Sequence, residues 1–196
     1  MRHLRHYRTA GRRHAASLAR RTAAAAVVAA GLLAAGAWAQ DMAGMGEPDP
    51  AEVTRAYLAG APFQDVAAAQ AAGYVSTLTS LGCFHDEARG GMGLHYLRED
   101  LMDAVLDAAQ PEALVYELDA FGNVAGLVAH EYIVPVEAWD GSGPPTLFGM
   151  ELHQHPVLPL WVLHAWLWKD NPSGTFEDYN PAVRLCPDGV PVFGQD

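Results

Sequence analysis

Ala113-Leu114-Val115-Tyr116-Glu117-Leu118, Asp119-Ala120-Phe121-Gly122-Asn123 and Val124 through Val134 form one continuous stretch of strand, turn and strand signals. The flanking segments are rich in Val, Leu, Ile and Tyr, and the five residues between them hold the glycine and asparagine that a reversal requires, so the stretch predicts an antiparallel hairpin ended by Pro135. Leu160 to Trp168, apolar and aromatic and stopped by Lys169-Asp170-Asn171-Pro172-Ser173-Gly174, predicts a buried strand, with a helix as the rival reading. Upstream, Met92 to Leu97 predicts a short strand, Tyr74 to Leu78 an extended segment, and the glycine-rich Gly82 to Gly93 a loop. Helices are expected from Asp49-Pro50 to about Leu58, where an acid caps and proline opens the first turn, then over Gln64 to Ala72 and over Glu99 to Ala109. These elements predict an α+β fold in which short N-terminal helices lead into a mostly antiparallel sheet able to curl into a barrel.

The N-terminus predicts export. Seven arginines and no acid lie within residues 1–21, an uncharged run of small and apolar residues follows from Thr22, and Ala37-Trp38-Ala39 offers the small residues of a cleavage site. Residues 1–39 are therefore expected to be a signal peptide, 40–48 a flexible leader and 49–196 a single globular domain. An uncleaved anchor is the rival reading of the apolar run, and Arg20-Arg21 leaves the twin-arginine route open beside the general one. The expected location is extracytoplasmic, periplasmic or secreted, with membrane contact only through the signal segment. Of 12 basic residues, 5 remain after residue 39 against 23 acids, so the mature domain carries about −18 rather than −11. Such a surface repels phosphate backbones, which excludes a nucleic-acid partner. In an oxidising compartment the only two thiols, Cys83 and Cys186, are expected to pair.

Chemistry falls to the histidines. Nucleophile elbows, phosphate loops, dinucleotide fingerprints and His-Glu-x-x-His helices have no match in the sequence. His153 and His155 lie two apart, as residues on one strand face do; His95 and His164 each lie within an expected strand, where a buried imidazole requires a partner. Glu131 and His130 occupy opposite faces of the hairpin's second strand, and either can point inward; Glu131 would share its face with Leu127, Ala129 and Ile133. Buried, Glu131 could instead pair with Arg89, Arg98 or Arg184.

Two classes of function follow. The first is a metal-dependent protein with His95, His155 and His164 as ligands to Zn, Fe, Mn or Cu, Glu131 as fourth ligand or general base, and a pocket walled by Trp161, Trp166 and Trp168. The second is a non-catalytic module that binds an apolar or aromatic small molecule, with the histidines as hydrogen-bonding groups.

The segments Gly91-Met92-Gly93-Leu94-His95-Tyr96, Pro111 to Glu117, Glu131-Tyr132 and His164-Ala165-Trp166-Leu167-Trp168-Lys169-Asp170-Asn171-Pro172 resemble a widespread group of secreted bacterial proteins of uncharacterised function. The resemblance implies one extracytoplasmic domain and assigns no activity. His153-Gln154-His155 also resembles the opening of the cupin metal motif, although Pro156-Val157-Leu158-Pro159 lacks the acid that follows in cupins.

Overall fold

The computed structural model describes residues 48–194; the expected export signal and almost all of the expected leader lie outside the described residues. Helix α1 (Pro50–Gly60) starts where expected, with the Asp49 carboxylate accepting from the Ala51 N–H and Pro50 at the first position. A short tight turn at Ala61–Gln64 leads to α2 (Val66–Ala71), capped by Asp65. Among the described residues no helix is long and apolar enough to cross a membrane.

The strands are β1 (Val75–Ser76), β2 (Cys83–Asp86), β3 (Gly90–Leu97), β4 (Ala113–Leu118), β5 (Val124–Pro135), β6 (Thr146–Leu147), β7 (Met150–Glu151), β8 (His153–Gln154) and β9 (Leu160–Ala165). The expected hairpin is β4–β5, and it occupies the middle of an antiparallel sheet of order β1-β3-β4-β5-β9-β8, with β2 also paired to β3. Among the described residues the sheet stays open: its terminal strands do not meet, and no barrel closes. Strands β6 and β7 form a separate two-stranded ribbon.

Alternation along β3, β4, β5 and β9 divides the sheet into two buried faces. Tyr96, Leu114, Tyr116, Tyr132, Val134 and Leu163 pack on one side with Ala56 of α1, Ala69 of α2 and Phe148. Ala113, Ile133 and Val162 pack on the other side with Leu97, Met102 and Leu160. A β-bulge interrupts this alternation. Val115 pairs with Ala129 but Tyr116 pairs with Leu127, leaving Val128 as the extra residue, so Leu127 joins the helix-covered face and not that of Glu131.

Two other expectations change. The glycine-rich segment is not a loop, because β2 and the start of β3 run through it. Its glycines allow the C-terminal chain to lie directly on β3: a Cβ on Gly91 would come within 2.3 Å of the Arg184 carbonyl oxygen, and Gly91 exchanges backbone bonds with Asn180 and Val183. The helix expected over Glu99–Ala109 is only a single turn at Glu99–Leu101. There Asp103 and Asp107 accept from the N–H groups of Val105 and Ala109, and these local bonds replace the helical ladder.

Cys83 and Cys186 form the expected disulfide, with Cα atoms 5.9 Å apart and a sequence separation of 103. In the chain-entropy picture a crosslink over that span removes about 4–5 kcal/mol of unfolded-state freedom. It fastens β2 to the C-terminal segment, where Cys83 also bonds through its backbone to Pro191 and Phe193.

Candidate metal centre

The register of the sheet brings together three residues distant in sequence. Glu131 on β5 lies directly opposite His164 on β9, and Ala113 on its other side separates it from Leu97 of β3, two residues beyond His95. All three side chains therefore leave the same face, and all are buried, at 5% exposure for His95, 7% for Glu131 and 1% for His164. His95 Nε2 lies 3.3 Å from Glu131 Oε2, and His164 Nε2 lies 3.8 Å from Glu131 Oε1. One ligand atom from each residue falls within 4.8 Å of the other two. For comparison, two donors bound at ~2.1 Å to one ion stand about 3.0 Å apart at a right angle and about 3.4 Å apart at the tetrahedral angle.

Electrostatics make this cluster unusual. A buried carboxylate is costly unless a positive charge or a proton accompanies it. Arg89 pairs with Asp86, Arg98 with Asp100, Arg55 with Glu52 and Lys169 with Glu117; among the described residues no Lys or Arg pairs with Glu131. Burial raises the Glu131 carboxyl above its ordinary range, opposed by the neighbouring His164. His95 is pushed down to about 3, first by burial and then by the imidazoles of His164 and His155, and so stays neutral at physiological pH with a lone pair to offer.

A second carboxylate sets the orientation of His164. Asp178 accepts from His164 Nδ1 at 3.3 Å and touches His153 Nε2 at 3.1 Å. Burial opposes ionisation of Asp178, yet the hydrogen bonds from His153 and His164 outweigh it and hold the carboxyl well below its usual range. An ionised Asp178 can only accept, which places a hydrogen on His164 Nδ1 and directs Nε2 toward Glu131. That Nε2 is fully buried and has no hydrogen-bond partner among the described residues, and the same holds for His95 Nδ1. A carboxylate behind an imidazole whose far nitrogen faces other donors is the arrangement that orients metal-binding histidines. Trp166 stacks beside His164, and its indole N–H is held by the Glu177 carbonyl.

His95 and Glu131 also line a cavity of about 70 Å³ whose remaining wall is almost wholly apolar, including Phe84, Met92, Ile133 and Val162. His155 lies on this wall but outside the group formed by His95, Glu131 and His164. Its Nδ1 accepts from the N–H groups of Val157 and Leu158, at 3.2 and 3.0 Å, in the turn that Pro156 initiates. The nitrogen lone pair is thus engaged and the ring hydrogen sits on Nε2, so His155, expected as a ligand, is not brought together with the other three. Strand β8 ends at Gln154, so His153 and His155 do not share a strand face, and His153 meets Asp178 instead.

The expected tryptophan wall is likewise absent. Trp161 alternates with Val162 and His164 and packs toward the opposite face; Trp166 packs with Val115, Val128 and Val183; Trp168 lies beyond the end of β9, stacked on Tyr57 and edge-on to His130. His130, buried on the helix-covered face, has its Nδ1 3.2 Å from the Tyr132 hydroxyl, which itself donates to the Ala108 carbonyl. Its hydrogen is therefore on Nδ1, and burial lowers the ring to about 3. Asp178 had no sequence signal: it is one acid of 23, in a segment without periodicity. No protein-family model, curated protein or solved structure matches this chain.

Proposed function

We propose that this chain is an exported protein that binds one divalent transition-metal ion through His95, Glu131 and His164. The observation that carries this reading is the bare, buried Nε2 of His164, fixed by Asp178 to face a carboxylate that lacks a cationic partner among the described residues. A cation between these atoms would compensate Glu131 and use the His164 lone pair at once. Two imidazoles and one carboxylate form a three-ligand set that leaves positions open, the pattern of reactive rather than closed structural sites, and one suited to Zn or Fe(II). His95 and Glu131 border the cavity whereas His164 lies behind them, so the open positions would face the cavity. The Cys83–Cys186 bridge is consistent with an extracytoplasmic location.

A second reading draws support from the largely apolar cavity: a small-ligand binding module in which His164 is an imidazolium held between Glu131 and Asp178. Burial disfavours that charge, but the two carboxylates outweigh it and raise the His164 pKa. Metal content separates the readings. Tag-free protein exposed to Zn or, without oxygen, to Fe(II) and then desalted should retain about one equivalent, and the His164→Ala variant less than a tenth. Retention below a tenth of an equivalent by the unaltered protein, with no thermal shift, would refute the metal site.

A further inference from the structure

We propose that the cavity beside His95 and Glu131 is a site for a small neutral gas, and that dioxygen is its ligand when the ion held by His95, Glu131 and His164 is Fe(II). The inference rests on the metal reading for the anchor, and on the cavity itself for size and polarity. An apolar cavity of about 150 Å³ holds benzene, with its six heavy atoms. At about 70 Å³ this chamber has room for about three. Sugars, amino acids, aromatic compounds and alkyl acids are too large, whereas a diatomic molecule fits.

The wall restricts polarity as the volume restricts size. Phe84, Met92, Leu97, Ile133, Leu160 and Val162 make up much of it, and its few polar groups are largely engaged. Thr77 donates its hydroxyl to the His95 carbonyl, and His155 Nδ1 accepts from the Val157 and Leu158 N–H groups. His155 is only partly buried and edge-on to Phe193, which places it toward the mouth. A buried water needs about two to four polar partners, and the interior offers them only at the His95–Glu131 end, where a metal would take them. Charge calls for no anion. A divalent ion is matched by the Glu131 carboxylate together with the Asp178 carboxylate bonded to His164, and His153, the other partner of Asp178, is half exposed, so solvent screens it. The ligand that fits is neutral, needs no hydrogen bonds and has affinity for an ion with open positions. Two imidazoles and one carboxylate suit Fe(II) to oxygen chemistry, and dioxygen meets all three requirements.

The test uses the full mature chain and reads the chamber and the ion separately. Methyl NMR of the Zn-loaded protein under dioxygen pressure reads the chamber, because the paramagnetic gas broadens the resonances it touches. The methyls of Met92, Ile133 and Val162 should broaden severalfold more than those of Val134 and Leu163, which are equally buried on the helix-covered face. Ala113→Val, which puts two further carbons into the chamber, should abolish that excess while retaining Zn; Val162→Ile is the milder filling variant should the first not fold. Benzene should leave the same methyls unmoved. The ion is read by loading with Fe(II) without oxygen, measuring retained iron, and adding nitric oxide as a diatomic probe: a half-integer-spin signal in electron paramagnetic resonance is expected, weakened severalfold by Ala113→Val. Uniform broadening of all buried methyls, an excess that survives chamber filling, or a response to benzene would overturn the gas site and leave the metal reading standing. Retained iron with no nitrosyl signal would overturn dioxygen as the ligand. Absence of retained iron would overturn the Fe(II) anchor itself, whatever the methyls show.

Discussion

Glu131→Gln separates the cost of a buried charge from its use. Gln fills nearly the same volume and keeps one acceptor, so it removes charge without opening a cavity. Without metal, the carboxylate of Glu131 is opposed by burial on every side and compensated only by imidazoles. Because its folded pKa is raised, its contribution to stability is full below the unfolded value near 4.5 and is lost as pH rises through the folded one. In chelator at pH 7.5 the variant is therefore expected to be as stable as wild type or up to about 2 kcal/mol more stable, an increase in Tm of several degrees for a domain of this size. With Zn at 100 times its Kd, the wild type should gain about 2.7 kcal/mol by linkage and the variant almost none. The order of stability should thus reverse on metal addition, as read by thermal unfolding of both proteins with chelator and with Zn. A loss of about 3–5 kcal/mol in chelator, the usual cost of breaking a buried ion pair, together with no response to Zn in the wild type, would show that Glu131 is a structural partner of an imidazolium and refute this reasoning.

Three further outcomes are expected. Asp178→Asn keeps the shape but weakens the acceptor behind His164, so metal affinity should fall about 10–100-fold by competition titration with a chelating dye. Glu112, buried with its carboxylate accepting from the Ile133 N–H, is raised by burial to about 8. Its stabilising contribution is present below pH 4.5 and is lost as pH rises through 8, so Glu112→Gln should add about 2–4 kcal/mol at pH 9 and little at pH 4.5 in urea unfolding. Replacing both cysteines by alanine should cost a few kcal/mol, up to the 4–5 expected for a loop of this length, and denaturant midpoints will measure it.

The β4–β5 hairpin was legible because its alternation of apolar residues and its glycine turn are local features, and the face shared by Ala129, Glu131 and Ile133 followed from period two. The parity failed at Val128, since a bulge depends on what the partner strand presents and leaves no mark in one strand read alone. Glycines at 90 and 91 suggested a loop because their role, contact with a returning backbone, is set by residues some ninety positions later. His95, Glu131 and His164 could be named from their places within strands. That His155 stays outside their group was not legible, because its nitrogen is engaged by a turn two residues on. Asp178, which orients His164, gave no sequence signal because it acts from an irregular segment that only the fold brings near.

The proposed metal would be held by two imidazoles and one carboxylate, rather than loosely by a chain whose 23 acids outnumber its 12 bases. X-ray absorption at the zinc edge of the one-to-one complex tests it most directly. Two imidazole rings with nitrogen at about 2.0–2.1 Å, completed by oxygen, are expected. A shell made only of oxygen, with no imidazole scattering, would contradict it.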